Sequence, residues 1–327
     1  MHKKRVLSGI QPTGKLHLGN LIGAVENWVK LQDQYECYFF IADLHALTTA
    51  YSDTKNLRED IKQLAIDLLS AGIEPEKAVL FRQSDVPEHA ELHLLFSMIT
   101  PLPWLERVPT YKSKIEEMKG SDLGTYGFLG YPVLQAADIL IYKANLVPVG
   151  EDQLPHLELT REIGRRFNHL YRDIFPLPQA ALTAFPALPG TDGRKMSKSY
   201  QNTIAISDGP EAIRKKVSQM VTDPARVKRD DPGHPDICPA YAFYKIFGKQ
   251  LVGKVAEDCR SAKRGCVECK KELAAILIDY LSPIHQQRVE LEKDPATVEK
   301  ILALGAQKAR QVAASTLQEA KQAVGLI

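Results

Sequence analysis

Over about the first 200 residues, short apolar runs alternate with helically spaced apolar positions, which predicts a parallel sheet covered by helices on both faces. Val6-Leu7-Ser8-Gly9-Ile10 reads as a first strand that ends at the turn cluster Gln11-Pro12-Thr13-Gly14. Leu18, Leu21, Ile22, Val25, Trp28, Val29 and Leu31 then recur at helical spacing. Cys37-Tyr38-Phe39-Phe40-Ile41-Ala42 is continuously apolar, as buried parallel strands are. A helix holding Ile61, Leu64, Ala65, Leu68 and Leu69 leads to a third strand, Val79-Leu80-Phe81. From about 100 to 145 the pattern is broken by Pro101, Pro103, Pro109, Gly120, Gly124, Gly127, Gly130 and Pro132, so an insertion is expected there. Leu146-Val147-Pro148-Val149 resumes the sheet, and Gly150 opens a helix whose first turn carries Glu151 and Asp152.

Beyond residue 206 strand signals vanish and the chain reads as helical. Residues 297–326 carry an amphipathic stripe from Val298 to Ala323 that must dock on something. Gly305 within it costs about 1 kcal/mol against alanine, which suggests a kink or a boundary between two helices. The expected fold is therefore α/β: a doubly wound, Rossmann-like domain over 1–205, with an insertion at about 100–145 and a loop at 190–200, followed by an all-α domain over 206–327.

Composition agrees with this division. The 327 residues allow about two domains at roughly 150 residues each. Apolar residues at 44% and charged residues at 25% exclude a disordered or fibrous chain. A net charge of +2 excludes a polybasic protein held to its partner by bulk charge. That sum conceals an asymmetry, because residues 206–327 hold 20 basic against 16 acidic side chains, +4, and leave −2 for the front. The tail can therefore present a local basic surface, although a solvated helix face explains the same excess. Five cysteines do not form a secreted disulfide framework, and neither a signal-peptide core nor an apolar run of roughly 18 residues is found. A cytoplasmic protein with no membrane partner is expected.

Two segments carry chemistry. Gly9 to Asn20 follows a strand and opens a helix, and such a turn at the carboxyl edge of a parallel sheet presents helix N–H groups to phosphates. His17 in the first helical turn can donate to a phosphate oxygen, and Gly19 leaves flat backbone for an adenine ring. Taken alone, the segment is equally a Gly/Pro turn with an exposed histidine. The second segment, Gly193-Arg194-Lys195-Met196-Ser197-Lys198-Ser199, places two lysines on a glycine-bearing loop, where they can neutralise charge building up on a departing pyrophosphate.

His17-Leu18-Gly19-Asn20 resembles the HIGH signature, and Lys195-Met196-Ser197-Lys198-Ser199 is similar to the KMSKS signature, of class I aminoacyl-tRNA synthetases. Ser8 to Gly14, Ala136-Ala137-Asp138-Ile139-Leu140 and Pro148 to Gln153 resemble the tryptophanyl rather than the tyrosyl members of the small dimeric subclass. The first signature departs from its name at Leu18 and at Asn20, where the name has histidine. The resemblance implies activation of L-tryptophan by ATP to tryptophanyl-adenylate and pyrophosphate, then transfer to tRNA(Trp), with the tyrosyl enzyme and a non-charging RNA-binding paralogue as rivals. A small-molecule nucleotidyltransferase is a weaker rival that leaves the tail unexplained. The resemblance gives catalytic roles to His17, Lys195 and Lys198. To ATP it assigns Gln11, Pro12, Thr13, Gly19, Asn20, Lys112, Gly150, Glu151, Asp152 and Lys195 through Ser199 (with Met196, Ser197 and Lys198 between). Mg2+ accompanies ATP, bound mainly by its phosphates. Tryptophan is assigned to Asp138, Leu7, His45, Tyr131 and Gln153. Indole N–H is a donor only, so a carboxylate at Asp138 facing it is left unpaired by phenylalanine.

Cys238, Cys259, Cys266 and Cys269 form a spaced set in the tail, beside Lys263, Arg264, Lys270 and Lys271. Four converging thiolates suit Zn2+ or an iron-sulfur cluster, while free cysteines are also common as small buried hydrophobes. The resemblance extends to a bacterial branch with a [4Fe-4S] cluster at such a set. It also implies a homodimer and a helical domain that reads the tRNA anticodon, for which Lys215-Lys216 and Arg226-Lys228-Arg229 are candidates. Cys37, in an apolar strand, reads as inert packing.

Overall fold

The computed structural model describes residues 3–109, 124–182 and 188–327. Five strands, β1 (Arg5–Ile10), β2 (Glu36–Ile41), β3 (Ala78–Arg82), β4 (Leu146–Val149) and β5 (Gln179–Leu182), form one parallel sheet in the order β3-β2-β1-β4-β5. The first four are the expected strands. β5 carries no β-branched or aromatic residue and is only partly buried at the sheet edge, so its apolar pattern gave no signal. β2, central and buried from Cys37 to Ile41, supplies rings to both faces: Phe39 stacks on Trp28 at 4.8 Å, and Phe40 stacks on Phe81 at 5.8 Å between ring centres. Gly9 in β1 lies opposite Phe40, and a Cβ there would stand 2.5 Å from that ring, so glycine is what lets the phenylalanine cross the strand.

Helices α1 (Asp43–Ala50), α2 (Leu57–Ser70), α3 (Glu88–Ile99), α4 (Tyr126–Ile141) and α5 (Leu154–Leu170) belong with the sheet. Within the segment expected to be an insertion, α4 is unbroken where proline and glycine predicted interruption. It runs for 16 residues through Gly127, Gly130 and Pro132, with the Thr125 hydroxyl accepting the Phe128 N–H at its start. Pro132 deletes one backbone donor, a cost met by burial of Phe128, Val133, Ala136, Ala137, Ile139 and Leu140 against the core.

Helices α6 (Pro210–Ser218), α7 (Pro239–Phe247), α8 (Val252–Arg260) and α9 (Cys266–Lys293) follow, then α10 (Pro295–Ala323). The chain divides into two compact units, one of Met1–Gly14, Asn27–Thr183 and Asp294–Ile327, the other of Lys15–Glu26 and Ala184–Lys293. The units are thus interleaved in sequence, and their boundaries differ from a single break near residue 205. α10 belongs with the sheet. It is continuous through Gly305, which is neither a kink nor a boundary: a Cβ there would lie 1.8 Å from the Leu80 carbonyl oxygen, so the helix backbone lies directly on β3. Arg310 to Glu88 at 2.7 Å and Lys143 to Glu319 at 2.9 Å hold it in place. In the other unit Tyr280 of α9 donates to Glu26, and His285 Nε2 donates to the Ile206 carbonyl at 2.7 Å. Among the described residues no helix is long and apolar enough to cross a membrane.

Candidate active site

The two signature segments are joined by backbone bonds. Leu18 N–H donates to Ile204 O and Ile206 N–H donates to Leu16 O, each at 2.9 Å, so residues 16–18 pair with the stretch that leaves the lysine loop. His17 caps the following helical turn. Its Nδ1 accepts the Asn20 N–H at 3.2 Å, while Asn20 Oδ1 accepts the His17 N–H at 3.3 Å. The acceptor role of Nδ1 puts the ring proton on Nε2, leaving a neutral donor. Burial and the charge of Lys198 lower the His17 pKa to about 4, which keeps it neutral near pH 7. Asn20, which departs from the signature's name, serves here as half of a reciprocal cap.

Above this turn a Cβ on Gly19 would meet the His17 ring at 3.1 Å and Met196 Sδ at 3.5 Å, so Met196 packs directly on the glycine. The lysine loop is framed by Asn202, 2% exposed, a residue that sequence reasoning missed. Its Oδ1 accepts the Ser197 N–H at 2.8 Å, and its Nδ2 donates to Asp192 Oδ1 at 2.7 Å and to Lys195 O at 3.1 Å. The Arg194 guanidinium lies 4.3 Å from the centre of the Tyr200 ring. The Lys195 side chain is exposed at the rim, and Lys198 opens the short turn Lys198–Tyr200.

In the sheet unit, Gln11, Pro12 and Thr13 follow the carboxyl end of β1, and Gly150, Glu151, Asp152 and Gln153 follow that of β4. These strands are neighbours, and the order reverses between them, so both loops leave the topological switch point where open α/β sheets bind ligands. Glu151 and Asp152 are exposed, and Gln153 Nε2 donates to Asp152 Oδ2 at 3.3 Å. Lys112 lies outside the described residues.

α4 presents Tyr131, Gln135 and Asp138 along one stripe, at helical steps of four and three, and Tyr142 caps its C-terminus four residues on. Tyr131 is hydrogen-bonded to His156 Nε2 at 2.7 Å. Asp138 is 1% exposed and collects three donors: His45 Nε2 on Oδ2 at 2.7 Å, and Gln83 Nε2 at 2.7 Å and His89 Nδ1 at 2.6 Å on Oδ1. Burial alone raises a carboxyl pKa, but the His45 and His89 contacts outweigh it and hold Asp138 well below the usual carboxylate range. Leu7, buried opposite Tyr38, lies in the core cluster that packs beside this group. His45 and Asp138 are thus bonded to each other, Leu7 lies in the neighbouring apolar core, and Gln153 is held by Asp152. Gln83 and His89 were missed, since neither belongs to a motif and their partner is 55 and 49 residues away.

In the other unit Cys238, Cys259, Cys266 and Cys269 all line one small cavity of about 30 Å3. The four thiols are free, and burial raises the pKa of Cys259 and pushes that of Cys269 up to about 11. Among the described residues no three His, Cys, Asp or Glu side chains are grouped so as to hold a metal ion. Two guanidinium N–H groups in the cavity lining, Arg226 Nε and Arg264 Nε, are buried without a hydrogen-bond partner. Beside the cavity runs a groove of about 760 Å3 lined by Arg214, Lys215, Lys270 and Lys271, and a second by Arg226, Lys228 and Arg229. Lys216 turns instead to Asp208, at 2.6 Å.

The model of the tRNA synthetases class I (W and Y) matches residues 1–282. A tryptophan–tRNA ligase of Thermotoga maritima is 52% identical over 99% of both chains, and one of Aquifex aeolicus is 47% identical over 98% of this chain and all of that protein. The crystal structure of the tryptophanyl-tRNA synthetase from Campylobacter jejuni complexed with ADP and tryptophan superposes with a TM-score of 0.89 at 36% identity, covering 98% of this chain and 99% of that one. With signatures, sheet order and full-length similarity in agreement, the chain belongs to the class I tRNA synthetases of the tryptophan and tyrosine group.

Proposed function

We propose that this chain is a tryptophan–tRNA ligase, which activates L-tryptophan with ATP and passes the tryptophanyl group to tRNA(Trp) for protein synthesis. The observation that carries the activation step is the backbone pairing of the two signature segments, which fixes the neutral His17 donor relative to the loop of Lys195 and Lys198. In-line attack of the tryptophan carboxylate on the α-phosphate forms the mixed anhydride and expels pyrophosphate. The protein's part is to position the reactants and offset the growing negative charge. The resemblance gives ATP to Gln11, Pro12, Thr13, Gly19, Asn20, Gly150, Glu151, Asp152 and Lys195–Ser199, with His17 near the phosphates. Mg2+ rides on the phosphates. Asp138 keeps a lone pair for the indole N–H, and the choice of tryptophan over tyrosine is supported by relatives named for it across their whole length. ATP–pyrophosphate exchange should run faster with tryptophan than with tyrosine. The reverse order would give the chain to the tyrosyl reaction, and exchange without tRNA charging would make it a non-charging paralogue.

At the four cysteines we propose a [4Fe-4S] cluster, with Zn2+ as the alternative. A single zinc ion needs all its sulfurs within about 2.3 Å of one point, whereas a cluster takes one cysteine on each of four irons spread over a larger volume. The convergence of the four thiols on one cavity and the two unpaired guanidinium donors in its wall suit an anionic group held by cysteine sulfur. Such a cluster would clamp α7, α8 and α9 through its four ligands. Protein purified without oxygen should contain about four irons and four sulfides per chain. One zinc and no visible absorbance would replace the cluster by a structural zinc.

The basic grooves beside that cavity suit a tRNA backbone, with a local excess of charge sufficient for the purpose. Leu94, Met98, Leu102 and Tyr126, all more than half exposed, offer apolar surface for a homodimer. Both assignments, and a cytoplasmic setting, follow from the resemblance.

A further inference from the structure

We propose that His89 and Tyr142 are positioning residues for amino-acid selection, a relay that orients Asp138 and keeps one of its lone pairs for an N–H donor on the substrate ring. The inference rests on the reading that Asp138 accepts the indole N–H, and goes beyond it by naming what makes that carboxylate selective.

His89 is fully buried, its ring tilted against those of Phe40, Phe81 and Tyr142. Its two nitrogens point in opposite directions, Nδ1 to Asp138 Oδ1 at 2.6 Å and Nε2 to the Tyr142 hydroxyl at 2.7 Å. Burial holds the phenol far above its usual pKa, so Tyr142 keeps its proton. The carboxylate only accepts, so a neutral imidazole carries its proton on Nδ1; the opposite tautomer would set a nitrogen lone pair against a carboxylate oxygen at 2.6 Å. Nε2 is then the acceptor for the Tyr142 proton. The hydroxyl thereby matches that tautomer and anchors the far edge of the ring without touching Asp138.

A carboxylate offers about four lone-pair sites. Gln83 and His89 fill both on Oδ1, and His45 fills one on Oδ2, which leaves one site on Oδ2. With Oδ1 tied from two sides the group cannot turn about its terminal torsion, so the remaining site has a fixed direction. A ring N–H can meet it. A ring of the same shape with sulfur in place of N–H leaves it empty.

The test is pyrophosphate exchange with L-tryptophan and with its benzothienyl analogue, in which sulfur replaces the ring N–H. Wild-type protein should prefer tryptophan. His89→Leu and Tyr142→Phe should lower the tryptophan-to-analogue ratio of kcat/KM by about tenfold or more, mainly through KM for tryptophan, with the analogue changed less than about threefold. His89→Asn, whose amide can stand in for Nδ1–H, should recover much of the ratio. Asp138→Asn separates the two levels of the argument. If it lowers the ratio while Tyr142→Phe and a folded His89→Leu do not, the relay is overturned and the indole reading stands. If Asp138→Asn leaves the ratio unchanged, the indole reading fails and the relay fails with it. Equal losses for both substrates would show a purely structural role and also overturn the relay. Tyr142→Phe deletes only one oxygen, so it carries the test should His89→Leu fail to fold.

Discussion

Lys195→Ala combined with Lys198→Ala is expected to slow tryptophan-dependent pyrophosphate exchange by more than about a hundredfold while leaving tryptophan binding nearly unchanged. The loop frame has supports besides these side chains: Asn202 binds the Lys195 carbonyl and the Ser197 N–H, and Met196 supplies the contact with Gly19. Alanine at both positions therefore removes charge while these supports stay in place. Negative charge moves onto pyrophosphate as the α-phosphate bond breaks, so interactions with these ammonium groups strengthen toward the transition state and act on kcat. Single-turnover adenylate formation measures the step directly. A loss of less than about tenfold, near 1.4 kcal/mol of barrier, would exclude the loop from the chemistry. The variant carries a second signature. Burial and Lys198 together depress the His17 pKa to about 4, so removing Lys198 should raise it toward the usual histidine range. The acid limb of the residual activity should then move to higher pH.

The parallel sheet was legible because β2, buried along its length, reads as an unbroken apolar run from Cys37 to Ala42, and because β1 is a short run that ends at a Pro/Gly turn. The edge strand β5 had no such pressure on its residues and stayed silent. Proline and glycine misled at α4 and α10 for a shared reason. In isolation both residues break helices, yet Pro132 is outweighed by the burial around it, and Gly305 is required by the approach of α10 to Leu80. Local sequence carries the penalty and not the tertiary contact that offsets it. The amphipathic stripe of α10 demanded a docking face but could not say that the face was β3, more than 200 residues earlier. The site divides in the same way. The signature residues stand together in sequence, and the cysteines were visible by their spacing, whereas Gln83, His89 and Tyr142 act through partners that only folding brings near; Asn202, five to ten residues from its partners, belongs to no motif that would flag it.

Asp138→Asn should cost at least about a hundredfold in kcat/KM for tryptophan, with KM for ATP little changed, because it alters the charge and the hydrogen-bond capacity of a group that three donors already surround. An amide replaces one acceptor oxygen by an NH2, so at least one of Gln83, His45 and His89 must face a donor or change tautomer. The vacant acceptor is lost or turned away as the group adjusts. Titration of wild-type exchange distinguishes this loss from mere neutralisation of an acid. Asp138 is held ionised well below the usual carboxylate range by its histidine contacts, so acidification to about pH 5 leaves its charge in place. Tryptophan KM should accordingly fail to reproduce the variant's defect at that pH. If acid alone raised it a hundredfold with ATP binding intact, Asp138 would be titrating in the ordinary range, and the donors gathered around it would not be setting its charge.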